Sequence, residues 1–153
     1  MIHAIYQVLA SLGYDHPLHP VLVHVTIGLT VATFAFGLIS VIFRAPRLKL
    51  TAWHTALLAT ISVVPTAFIG YGDWHEKMHG QPMTVITIKI ILAISLFVVL
   101  FVSLFLGKGR QGETDDRNAR VWRDARSIVA LCLYGVCFGI VTLLGYFGAS
   151  LVY

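Results

Sequence analysis

Four long apolar stretches dominate the chain, and short polar segments separate them. They run over about 21–43, 51–71, 83–106 and 128–152. A helix needs roughly 20 apolar residues to cross a bilayer, and each stretch meets that length. Backbone amides in lipid must be satisfied within their own segment, so each stretch predicts a helix rather than a strand or coil. The connections are short, which favours antiparallel neighbours. The expected fold is all-α: an integral membrane antiparallel four-helix bundle forming one domain over 1–153. Ahead of it, Ile2, Ile5, Leu9 and Leu12 repeat at helical spacing, with His3, Gln7 and Ser11 between them. That pattern predicts a short N-terminal interfacial helix ending at Gly13. It lacks the basic n-region and cleavage pattern of a signal peptide.

Composition agrees with the pattern. The 153 residues are 58% hydrophobic and 12% charged, about half the usual charged fraction of about 25%. The net charge of +4 is concentrated in two connections. Arg44, Arg47 and Lys49 lie between spans one and two; Lys108, Arg110, Arg117, Arg120, Arg123 and Arg126 lie between spans three and four. The positive-inside rule places both connections in the cytoplasm and both termini outside, in a multi-pass protein of a bacterial or archaeal cytoplasmic membrane. Topology accounts for these cations, so no nucleic-acid partner is expected. Membrane lipid is the expected surrounding. Cys132 and Cys137 point in different directions on one helix and predict no disulfide. Pro65 predicts a kink in span two.

Histidine supplies the candidate chemistry. In "DHPLHPVLVH", 15–24, three imidazoles stand at the mouth of span one. "GDWHEKMHG", 72–80, adds His75 and His79. On the predicted topology these share one side of the membrane with His3, while His54 stands alone near the other. Pro17 and Pro20 read as stiffening an extended connector that carries His16 and His19, with Pro20 opening the helix. His24 lies a turn inside span one, where an unpaired imidazole is costly. Histidine is a frequent axial ligand of haem iron. The first-choice ligand pair is His24 with His79, and His75 is the second choice. His16 and His19 are candidates for contacting a cofactor edge. His24, Gly28, Val31, Ala32 and Ala35 share one helical face, which predicts a flat slot for a macrocycle. Lys89, just inside span three, would neutralise a propionate or pair with Asp73. Gly135, Gly139, Gly145 and Gly148 give span four a second small-residue surface.

A second chemistry uses the acids. Asp15, Asp73 and Glu76 each lie within two residues of a histidine, and mixed ligands of this kind suit zinc or non-haem iron. His75-Glu76-Lys77-Met78-His79 matches the zinc-protease string His-Glu-x-x-His. Gly72 and Gly80 bracket it, however, which leaves room for barely two helical turns and no substrate cleft.

"HPLHPVLVHVTIGL", 16–29, resembles the opening of the domain-of-unknown-function family 2231 of predicted membrane proteins. The likeness extends to four spans, to the acid-tipped "GYGD" of 70–73 and to a histidine near the start of span three, as His79 is here. The resemblance implies His16, His19, His24 and His79 as the polar signature; a redox role for the family is analogy only.

These observations lead to a small membrane b-type cytochrome-like electron-transfer protein. Haem b would lie near the outer face, between span one and the loop joining spans two and three, exchanging electrons with a quinol and an outer-face redox protein. Two alternatives stand beside it. One is a non-catalytic structural or anchoring subunit of a homo-oligomer or larger complex. The other is a zinc or iron site on His75 and His79.

Overall fold

The computed structural model describes residues 18–77, 84–107 and 125–149. They form four helices: α1 (Leu18–Ile42), α2 (Pro46–Lys77), α3 (Thr84–Gly107) and α4 (Ala125–Ala149). All four are long and apolar enough to cross a membrane. The predicted interfacial helix lies outside the described residues, as do His3, His16 and His79.

The helices form a closed ring in which α1 packs on α2 and α4, and α3 packs on α2 and α4. Cross-helix contacts fix antiparallel register. Thr26 meets Thr66 and Thr33 meets Thr55 between α1 and α2, while Phe34 stacks on Phe138 between α1 and α4. Large apolar side chains such as Ile61, Ile94, Phe105 and Leu143 cover the perimeter. A patch of that extent would aggregate in water and is ordinary in lipid. Ala59, Val63, Leu96, Leu100, Cys137 and Val141 form the central core. Cys132 is exposed, Cys137 is buried, and both are free thiols, as their spacing requires.

Two boundaries differ from the sequence reading. Helix α1 starts at Leu18, so His19 stands in its first turn rather than on an extended connector. First-turn amides have no intrahelical acceptor, so Pro20 is tolerated there without opening the helix. Helix α2 has 32 residues, about 48 Å at about 1.5 Å per residue, against a hydrocarbon core of about 30 Å. It runs through Pro65 and carries Asp73, Trp74, His75 and Glu76 as its last turns. The "HEKMH" string therefore begins on a long helix, not on an isolated short one.

The turn from α1 to α2 is a Schellman cap. The Ala45 amide donates to the Ser40 carbonyl at 3.0 Å, and Arg44 takes the left-handed conformation at φ 51°. Glycine usually occupies that place because it has no Cβ. The Ala45 carbonyl then accepts from the amides of Leu48 and Lys49, which starts α2.

Candidate functional site

The buried face of α1 carries hydroxyls. Thr26, Thr30, Thr33 and Ser40 are all buried, at spacings of helical period. Across from them α2 presents Thr55, Ser62 and Thr66. Thr26 Oγ1 lies 3.1 Å from Ser62 Oγ and 3.0 Å from Thr66 Oγ1, and Thr33 donates to Thr55 Oγ1 at 3.0 Å. Most of these hydroxyls also bond a carbonyl one turn back in their own helix, as Thr30 does to Thr26. Turning inward adds partners on the facing helix, and small residues let the backbones approach.

This choice of inner face turns the predicted slot outward. His24, Gly28 and Val31 are exposed on α1, and a Cβ built on Gly28 would meet nothing within 4 Å. The face proposed to receive a macrocycle between helices is therefore on the perimeter. His24 Nδ1–H donates to the Pro20 carbonyl at 2.6 Å, and Nε2 lies outside that bond. Metal-bound histidines are commonly oriented by such a bond. His54, at the opposite end, makes the same bond to the Leu50 carbonyl at 2.8 Å. The bond is thus a habit of helical histidine and does not mark His24 as a ligand. Thr26 lies opposite Ser62 and Thr66, so His24 falls near the level of Thr66. His75 stands two and a half turns further along α2, about 13 Å at about 1.5 Å per residue.

The bundle opens between α2 and α3. Near Arg44 and Lys49, the Trp53 indole donates to the Leu104 carbonyl at 3.0 Å and holds these helices together. Toward the His75 end they enclose a groove of ≈ 610 Å³, within the size range of sites for small ligands and cofactors. Ala67, Gly70 and Ala93 make part of it shallow-walled, Val63, Ile90 and Phe97 make it apolar, and Tyr71 and Trp74 stand at its end. Its charged lining is Asp73 from α2 and Lys89 from α3. Helical side chains lean toward their own N-terminus. The half-buried Lys89 therefore leans toward the end that holds Asp73 and Trp74.

The aromatic cluster connects the groove to histidine. Tyr71 meets Trp74 edge to face with centroids 5.7 Å apart, and its ring centre is 6.4 Å from that of His75. Of the sequence candidates, the structure brings Lys89 to the groove and His75 against Tyr71, one of the residues that line it. It leaves His24 and Gly28 on another face, and among the described residues α1 has no substantial contact with α3. Among the same residues no three His, Cys, Asp or Glu side chains gather as a metal site. Tyr71, Trp74 and Asp73 are the members that sequence reasoning underused. Their signal was the i, i+3, i+4 run of small and aromatic residues from Val63 to Trp74.

No curated protein and no solved structure matches the chain. A family model does, over residues 15–153, under the description "Predicted membrane protein (DUF2231)". The ring of four apolar helices fits that description, and the chain belongs to the DUF2231 family of predicted membrane proteins.

Proposed function

We propose that this protein is a small membrane electron-transfer protein that holds haem b in the α2/α3 groove, near the outer face set by the positive-inside rule. The observation that carries the reading is the groove itself: an apolar slot of ≈ 610 Å³ that contains a lysine and has a histidine beside its aromatic end. Ala67, Gly70 and Ala93 admit a flat ring against the helices. Lys89 is placed to meet a propionate, and His75 is the described imidazole from which iron ligation would start. His79, four residues further along the sequence, is the alternative ligand from the same side, and it lies outside the described residues. Bound haem would supply the one-electron chemistry; the protein supplies the dry slot, ligands and counter-charge. Quinol in the bilayer and a redox protein at the outer face are the matching partners.

Absorption spectroscopy tests this on protein purified in detergent from haem-replete cells. A Soret band that shifts on dithionite reduction is expected. Ala93→Trp should obstruct the groove and remove the band, Lys89→Met should weaken haem retention, and His24→Ala should spare it. A colourless preparation sinks the proposal. Loss of the band in His24→Ala, with Ala93→Trp unaffected, would return the site to span one.

A second reading has its own support. Gly28 on α1 and Gly139 and Gly145 on α4 face open space, and small residues at a lipid-facing surface suit association with other helices. On this reading the chain is an anchoring subunit. Co-purification of a larger complex that survives Ala93→Trp but not Gly139→Leu would favour it. Zinc or iron without porphyrin, found by elemental analysis, would instead support the His75–His79 metal site.

A further inference from the structure

At the opposite end from the groove, all four helices meet around a small cavity of ≈ 20 Å³. A site needs roughly 10–15 Å³ and two to four polar partners to hold a water. Ser40 comes from α1, Lys49 from α2, Gly107 from α3, and Ser127 and Tyr134 from α4. Tyr134 is 5% exposed. Its hydroxyl has no hydrogen-bond partner among the described residues, although buried phenols ordinarily find one. Its position is tightly set. A Cβ on Gly37 would come within 3.1 Å of the ring, and one on Gly107 within 3.0 Å of the hydroxyl oxygen. Both glycines line the cavity, so the phenol is held against its wall with a proton to donate.

We propose that this cavity binds one ordered water that bridges the four helix ends. The free lone pairs of Ser40 favour water over a small anion. The Ser40 hydroxyl gives its only proton to the Gly37 carbonyl at 2.7 Å, so it offers lone pairs to the cavity. Lys49 Nζ donates to Ser127 Oγ at 2.6 Å. An occupant that accepts from Tyr134 and donates to Ser40 uses both groups. Water does both, whereas a halide only accepts.

The test is water-edited solid-state NMR of the full chain in bilayers, paired with thermal unfolding of Tyr134→Phe. Magnetisation should pass from slowly exchanging water to the Tyr134 hydroxyl and to Ser40. The phenylalanine variant keeps the ring between Gly37 and Gly107 and should melt a few degrees lower, because the water loses a donor. Absence of transfer overturns the proposal. So does a variant that melts at the same or a higher temperature, since a dry, unpartnered hydroxyl is better removed. An anomalous bromide peak in the cavity of bromide-grown crystals would also overturn it.

Discussion

The α1/α2 hydroxyl seam makes a quantitative prediction. Thr26→Val keeps the shape of the side chain and removes one oxygen, so it creates no cavity. That oxygen is 3.1 Å from Ser62 Oγ and 3.0 Å from Thr66 Oγ1, and it also donates to the Leu22 carbonyl at 3.1 Å. Each hydroxyl has one proton, and each already has an acceptor in its own helix: Ser62 bonds Ala59 O and Thr66 bonds Ser62 O. Three protons are shared among more acceptors than they can serve, so the bonds between helices are partial. Interhelical hydrogen bonds in membranes average about 0.6 kcal/mol. Thr26→Val removes both bonds to α2 and should cost about 1 kcal/mol. The Thr26→Val, Thr66→Val double-mutant cycle should show coupling of about 0.6 kcal/mol. Reversible unfolding in mixed micelles, followed by circular dichroism, measures all four corners. Zero coupling would mean that the intrahelical carbonyls satisfy both threonines alone. Coupling well above about 2 kcal/mol would mean full interhelical bonds. Either result refutes the sharing argument.

Other perturbations probe the opposite end and the groove. Arg44→Gly should stabilise the protein by about 0.5–1 kcal/mol, because the left-handed conformation costs a side-chain residue about 1–2 kcal/mol and the added freedom of unfolded glycine returns part of that; a loss of melting temperature would contradict the cap assignment. Gly37→Val should destabilise by about 1–3 kcal/mol, since its branched side chain enters space held by Tyr134 and Leu131; unchanged denaturant midpoints would show that the tyrosine moves freely. Trp53→Phe removes the indole bond to the Leu104 carbonyl, and the net loss should be about 1 kcal/mol. A cysteine pair engineered across α2 and α3 beside it should then cross-link more slowly, and unaltered cross-linking would leave that bond no role in closing the groove.

How much of this was legible in the sequence depends on which physical signal each feature leaves. The four spans were plain because lipid demands an uninterrupted apolar run. The overrun of α2 was not, because Gly72 read as a boundary while the helix simply continues to Lys77. Which face of a span turns inward is harder still. When every position is apolar, the hydrophobic pattern is silent about direction. Following the small residues from His24 through Gly28 to Ala35 picked the perimeter. The better guide was the rarer class: Thr26, Thr30, Thr33 and Ser40 recur at helical spacing, and a row of hydroxyls gains most from a facing helix with hydroxyls of its own. Lys89 was found because a lone cation in a span demands an explanation. Its groove could not be, since a groove depends on where two helices part.

That parting follows from an asymmetry between the two ends of the bundle. At the Arg44 end, Trp53 ties α2 to α3, Lys49 ties α2 to α4, and Tyr134 wedges between glycines of α1 and α3. Each helix is held there by a directional polar contact or by close steric fit. At the His75 end, α1 and α2 stay joined through Thr26, Ser62 and Thr66, whereas the described contacts between α2 and α3 give way to the groove. A ligand entering there would displace lipid from walls that are mostly apolar. Binding would thus require little rearrangement of the described helices, with the closed end serving as a fixed base. On this argument, weakening the base through Trp53 should change the width of the groove before it changes whether the bundle folds, and on the proposed function haem retention should respond to Trp53→Phe more steeply than helix content does.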